Sequence, residues 1–334
     1  MTVSPTKHNQ ELTTASSSGP VHASVLQSGN EAALVSAKAR CESQMIAKDF
    51  QGAYATIVEC IKDAVGVYGK SALSLVPYYL CMAEVGLELS HMNQVEEVLA
   101  LCIWNIVKAA EDDAANEPKT LVHRAVVCKL FGRYHCECEQ FDEAVKQAAN
   151  GAYYASVIHG PEHIQTSTLY FTLGAIFQKM FRTEEALGMY DKVVEIWFKH
   201  LAAATRRQRG GHDDDDDDGG RDVVGASNGT IHPGPSSALP AHAAKDTASP
   251  NTERIYHEGL AMLKQVLSTR TKILGDTHIA TGEVQYTVGL LSFYMNDHDS
   301  AKAAIESAFS IYTDALGSLH PSTMDVQTIL DQLA

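Results

Sequence analysis

Three histidines stand in one recurring phrase. Gly160-Pro-Glu-His163-Ile-Gln-Thr166, Gly275-Asp-Thr-His278-Ile-Ala-Thr281 and Gly317-Ser-Leu-His320-Pro-Ser-Thr323 each read G-x-x-H-x-x-T. A histidine offers general-base or metal-ligand chemistry. Its return at the same place in the phrase points instead to punctuation. The glycine ends one helix in a left-handed conformation, the polar residues after it cap the next helix, and Pro321 suits a first helical turn. Gly160, His163, Gly275, His278, Gly317 and His320 are therefore assigned to repeat joints, with no catalytic or metal role. His135-Cys136-Glu137-Cys138 is the nearest approach to a metal cluster. Successive helical positions diverge by about 100°, too splayed for a tetrahedral site. The run Asp213–Asp218 lacks the Gly and Glu placement of a calcium loop and reads as a solvated acidic loop. The chain contains no phosphate-cradling G-x-x-x-x-G-K-[ST], no H-E-x-x-H and no nucleophile elbow. No enzymatic activity and no cofactor are expected.

The joints imply the elements that hold them. His278 and His320 lie 42 residues apart, a period expected of a long helical hairpin. Within the hairpins, Gly132 and Ala144, Gly174 and Ala186, and Gly289 and Ala301 are each 12 residues apart. A small residue on the first helix facing a small residue on the second lets the two cross closely. Leu130, Tyr134 and Phe141, then Leu173, Phe177, Leu187 and Tyr190, then Leu290, Phe293, Ile305 and Ala308 fill the space around them. These positions resemble tetratricopeptide repeats (TPR), and the 42-residue step is similar to the long repeats of kinesin light chains. The expected fold is an all-α, TPR-like helical-hairpin solenoid. Its hairpins run over 30–67, 71–112, 117–158, 163–205 and 278–315, with a long helix at 251–274 and a closing helix at 320–333. The helices 184–205 and 251–274 are expected side by side.

Composition sets the domain limits. Of 334 residues, 45% are hydrophobic, and the formal net charge is −15. An acidic chain without a basic face is not expected to bind nucleic acid. No apolar run reaches the roughly 18 residues of a membrane span, and residues 1–29 lack the apolar core of a secretory signal, so a soluble, cytoplasmic protein is expected. Residues 1–29 read as a disordered leader, 30–205 as TPR-like hairpins, 206–250 as a disordered acidic and Gly/Pro-rich insertion, and 251–334 as C-terminal helical repeats. The seven cysteines read as reduced thiols. Cys60, Cys81 and Cys102, spaced by 21 residues, read as small buried fillers.

A TPR array offers a groove of first helices to protein partners. Lys129, Arg133, Gln178 and Lys179 fall on first helices and could meet a partner's carboxylates; a solvated helix face is the competing reading. Trp104 and Trp197 sit in apolar second helices and read as core. Phe198 cannot face the same way as its neighbour, so one of Trp197 and Phe198 is expected at the surface as a partner contact.

The stretch Ala152–Ser167, followed by Leu169-Tyr-Phe-Thr-Leu-Gly174 and Lys192-Val-Val-Glu-Ile-Trp197, resembles the TPR region of the zinc finger MYND domain-containing protein 12 family. The residues before Asn30 hold no C-x-x-C pair, so the finger of that family is missing from this sequence. The resemblance implies a non-catalytic adaptor in the cytoskeleton of the cilium or flagellum, associated with a single-headed inner dynein arm of the axoneme. The implied partners are a second TPR protein similar to tetratricopeptide repeat protein 29, an inner-arm dynein heavy chain and the doublet microtubule. The alternative is a cytosolic TPR adaptor of the kinesin-light-chain or chaperone-binding type.

Overall fold

The computed structural model describes residues 20–112, 117–209 and 250–333, and over these the chain is helical without strands. Antiparallel hairpins follow one another: α1 (Pro20–Ile46) with α2 (Phe50–Tyr68), α3 (Val76–Glu88) with α4 (Met92–Asp112), α5 (Glu117–Glu137) with α6 (Phe141–His159), and α7 (Ile164–Lys179) with α8 (Thr183–Arg209). Then come the single helix α9 (Pro250–Leu274), the hairpin of α10 (Ile279–Tyr294) and α11 (His298–Leu316), and the closing helix α12 (Pro321–Gln332). The architecture is the all-α, TPR-like solenoid expected. No described helix is long and apolar enough to cross a membrane.

Two kinds of turn alternate. Inside each hairpin one residue sits at φ near +60°: Lys48, Ser90, Glu139, Phe181 and Asn296. The amide after it reaches back to a carbonyl five residues earlier, as from His91 to Gly86 at 2.9 Å and from Gln140 to His135 at 2.8 Å, which satisfies carbonyls the helix end would orphan. Between hairpins the phrase G-x-x-H-x-x-T takes over. His163, His278 and His320 are N-caps: each Nδ1 accepts the backbone N–H two residues on, at 3.2, 3.1 and 3.2 Å. The Thr166 and Thr281 hydroxyls donate to the Gly160 and Gly275 carbonyls, both at 2.8 Å. Thr323 reaches the Tyr312 carbonyl instead. The glycines differ from expectation in one respect. Gly160 and Gly317 have φ of 94° and 90° with ψ near 155°, which is extended mirror-image backbone rather than the left-handed helical well, and only glycine adopts it cheaply. Gly69 repeats that conformation at an earlier joint. There Ala72 stands where the cap would be and supplies no side-chain hydrogen bond, so the phrase is hidden from the sequence.

Hairpin packing follows the small residues, with a shift. Ala144, Ala186 and Ala301 are fully buried, but the glycines face residues one turn further on. A Cβ on Gly132, Gly174 or Gly289 would lie 3.1 Å from Ala148, 2.6 Å from Tyr190 or 2.4 Å from Ile305.

The helix ends shift the expected domain limits. Helix α1 starts at Pro20, inside the expected leader, because its N-terminal residues extend the same helix. Helix α8 continues to Arg209, past the expected start of the insertion at 206. Residues 1–19 and the bulk of the insertion, with Asp213–Asp218, lie outside the described residues.

Candidate functional site

Successive first helices pack on one another, α1 on α3, α3 on α5 and α5 on α7, more closely than successive second helices do. The layer with the tighter spacing is the inner one, so these four helices line the concave face.

That face is already occupied in part by the chain itself. As expected, α9 lies antiparallel beside α8, with Arg270 paired to Asp191, Gly259 against Trp197 and Tyr256 against His200; it also packs on α10 and runs against α7 and α5. The close approach of the two helices is set by Gly259, whose absent side chain makes room for the Trp197 indole: a Cβ there would lie 2.2 Å from the ring. Trp197 is 0% exposed, and its Nε1 donates to Ser167 Oγ at 3.1 Å. Phe198 is half-buried against the same core. Trp197 is therefore no partner contact: α9 covers the face that the sequence left open.

The basic residues proposed for partner carboxylates are matched by carboxylates of this chain. Lys129 is 13% exposed and lies 3.4 Å from both Glu84 of α3 and Glu258 of α9. Burial opposes its charge, but Glu258 and Glu84 outweigh burial and hold the ammonium above its ordinary range. Lys129 in turn holds the Glu258 carboxyl below its ordinary range. Arg133 pairs with Glu88 at 2.7 Å, and Lys179 pairs with Glu137 at 2.7 Å. Gln178 Oε1 accepts from the Tyr190 hydroxyl at 2.9 Å. Arg254 at the start of α9 faces Glu42 of α1 at 4.0 Å. The ion pairs bridge one first helix to the next and to α9, and a partner's carboxylate would have to displace an internal one at each of them.

Two clefts remain beside α9. One, of about 340 Å³, lies toward the N-terminal repeats among Lys38, Glu42, Cys81, Glu84 and Arg254. The other, of about 420 Å³, lies among Glu88, Arg133, Phe171, Lys179 and Gln265. Lys129 and Glu258 border both. No group of three or more His, Cys, Asp or Glu side chains among the described residues is placed to hold a metal ion.

The opposite face carries what sequence reasoning missed. Trp104 is 62% exposed and Tyr153 is 67% exposed, against the expectation that Trp104 is core. Each stands 14 residues after the turn residue of its hairpin, Ser90 or Glu139, so the two rings hold equivalent positions on the successive second helices α4 and α6. Leu101 and Val157 are exposed on the same helices. In the flanking hairpins this position is charged. Lys62 pairs with Glu59, and Glu195 pairs with Lys192 and Lys199. Phe181 adds a further exposed ring, 92% exposed at the α7–α8 turn. A bulky residue at φ of 59° holds a conformation that disfavours it.

Comparison with known proteins agrees on the repeat. Residues 125–197 match the tetratricopeptide repeat family model, a span that runs from α5 into α8 with the Gly160–Thr166 joint near its centre. The crystal structure of BtubC (BKLC) from P. vanneervenii is similar at 15% sequence identity over 83% of this chain and 94% of that chain, with a TM-score of 0.36; a score of that size carries no argument about fold or function. Residues 125–197 are a tetratricopeptide repeat region within an all-α helical-hairpin solenoid, a fold whose usual work is binding other proteins.

Proposed function

We infer that the chain is a non-catalytic adaptor that docks a protein partner on its second-helix face. The observation that carries this is the pair Trp104 and Tyr153, exposed at equivalent positions of adjacent repeats. Aromatic side chains in this setting are the residue type that dominates protein interfaces. The ion pairs of the concave face favour the same side, since every basic side chain first considered for partner contact there is already matched.

The finer reading is an adaptor of the ciliary or flagellar axoneme that helps dock a single-headed inner dynein arm beside a second TPR protein. It rests on the resemblance of 152–174 and 192–197 to the MYND domain-containing protein 12 family. Within that resemblance, Ser167 and Trp197 form one buried hydrogen-bonded unit, and Gly160 and Thr166 form a second, part-buried one. The shared residues thus serve the scaffold, and the partner must be identified by experiment. The tagged chain is expressed in a flagellated cell, and the axoneme is extracted with detergent and then salt. Co-elution with an inner-arm dynein and a TPR protein supports the axonemal reading; release into the soluble fraction refutes it. Trp104→Ala with Tyr153→Ala should abolish partner recovery at unchanged helical circular dichroism. Undiminished recovery would refute the aromatic contact.

A further inference from the structure

Cys41 on α1 and Cys81 on α3 face each other across the first two repeats, Sγ to Sγ at 3.3 Å. Forty residues separate them in sequence, and both are buried. The Cys41 sulfur also lies 3.4 Å from the Ala53 carbonyl, so it is held between two helices. Cys81 borders the 340 Å³ cleft beside α9, among Lys38, Glu42 and Glu84. A small polar oxidant can therefore reach the pair from the Cys81 side. The two sulfurs share a hydrogen bond in which either can be the donor.

We propose that Cys41 and Cys81 are a reversible disulfide site, oxidised by a hydroperoxide such as hydrogen peroxide. One thiol of the pair, as its thiolate, attacks one peroxide oxygen, the O–O bond breaks, and hydroxide leaves, giving a sulfenic acid. The sulfur of the other thiol then attacks the sulfenic sulfur. The S–S bond forms, the S–O bond breaks, and the departing hydroxide takes the second thiol's proton and leaves as water. Two thiols lose two electrons in all, and the peroxide is reduced to two waters once the thiolate's own proton is counted. The sulfurs must approach by roughly 1.2 Å to reach bonding distance, a movement that draws α1 against α3. Because these are successive first helices, oxidation fixes the spacing of the concave face at its N-terminal end and narrows the mouth of the cleft. Cys60 and Cys102, read from their spacing as fillers, are also buried, and burial raises both thiols, so the pairing of Cys41 with Cys81 sets those two apart.

The test uses the full chain, reduced with dithiothreitol, desalted, and treated with hydrogen peroxide. Remaining thiols are alkylated and the peptides mapped by mass spectrometry. The expected result is one cross-linked peptide joining Cys41 to Cys81, with the loss of two hydrogens, reversed by dithiothreitol. A higher thermal midpoint should accompany it, since a cross-link restrains the unfolded chain. Cys41→Ser should remove both the cross-link and the rise in midpoint, whereas Cys102→Ser should keep them. A cross-link between other cysteines, sulfinic acid without a cross-link, or no reaction at Cys41 and Cys81 in the folded wild-type chain would each overturn the proposal. The wild-type map decides the matter even if a serine variant fails to fold.

Discussion

Gly259→Ala tests the feature of the fold that is least visible in the sequence, the close approach of α9 to Trp197. An alanine Cβ would lie 2.2 Å from Trp197 Cζ2 and 2.3 Å from Cη2, where carbon atoms in good contact sit about 3.5–4.0 Å apart. One partner must therefore move by more than 1 Å, roughly. The indole cannot give way easily. It is fully buried, donates to Ser167 and meets the rings of His200 and Tyr256 edge-on. Overpacking of this kind costs about 1–3 kcal/mol; the severity of the clash puts this case at the upper end. Replacing glycine by alanine inside a helix returns about 1 kcal/mol. The net expectation is a loss of about 1–2 kcal/mol. Gly188→Ala on α8 is the matched control, since its Cβ meets nothing within 4 Å; it should gain about 1 kcal/mol. Urea unfolding of both variants, followed by circular dichroism and by fluorescence in a Trp104→Phe background, reports the whole fold and Trp197 separately. If Gly259→Ala is as stable as Gly188→Ala, α9 does not pack closely on Trp197, and the account of the concave face is wrong.

Lys129→Met leaves Glu84 and Glu258 facing each other without their cation, and should cost about 1–3 kcal/mol, below the range for a fully buried pair because Glu258 is partly in solvent. Glu258→Gln in the same chain should recover part of that loss; strict additivity in the double-mutant cycle would show that the two side chains do not interact. Acid should destabilise the fold through two histidines. Burial holds His123 below the usual histidine range; burial and then the charge of His163 do the same for His159. Their folded pKa values lie below the unfolded value of about 6.5, so the unfolded chain binds more protons as pH falls through that value, and stability is lost downward from there. Unfolding midpoints taken in steps from neutral to acid should fall, with a shallower fall in His159→Phe. A rise on acidification would contradict the burial of both rings.

What the sequence reveals depends on how far each interaction reaches along the chain. The G-x-x-H-x-x-T joints are legible because their histidine caps, and two of their three threonine bonds, close within six residues: His163 to the amide of Gln165, and Thr166 to the carbonyl of Gly160. The pairing of Lys129 with Glu258 spans 129 residues, and no local pattern marks it. The two tryptophans show a third case, in which the information is local but its phase is hidden. Both stand in apolar second helices, and periodicity alone does not tell them apart. Counted from the turn residue at φ near +60°, however, Trp104 is at position 14 and Trp197 at position 16. Two helical steps rotate a side chain by about 200°. At position 16 the hairpins carry Ala64, Ile106, Ala155, Trp197 and Tyr312, all buried; at position 14 they carry Lys62, Trp104, Tyr153, Glu195 and Ser310, none of them buried. The turn residue would set the phase if it were the glycine or asparagine such turns favour. Here it is Lys, Ser, Glu or Phe in four of the five hairpins, so the marker is missing. The strained backbone is tolerated because the hairpin on either side determines it, and that same tolerance conceals from the sequence which aromatic rings face solvent.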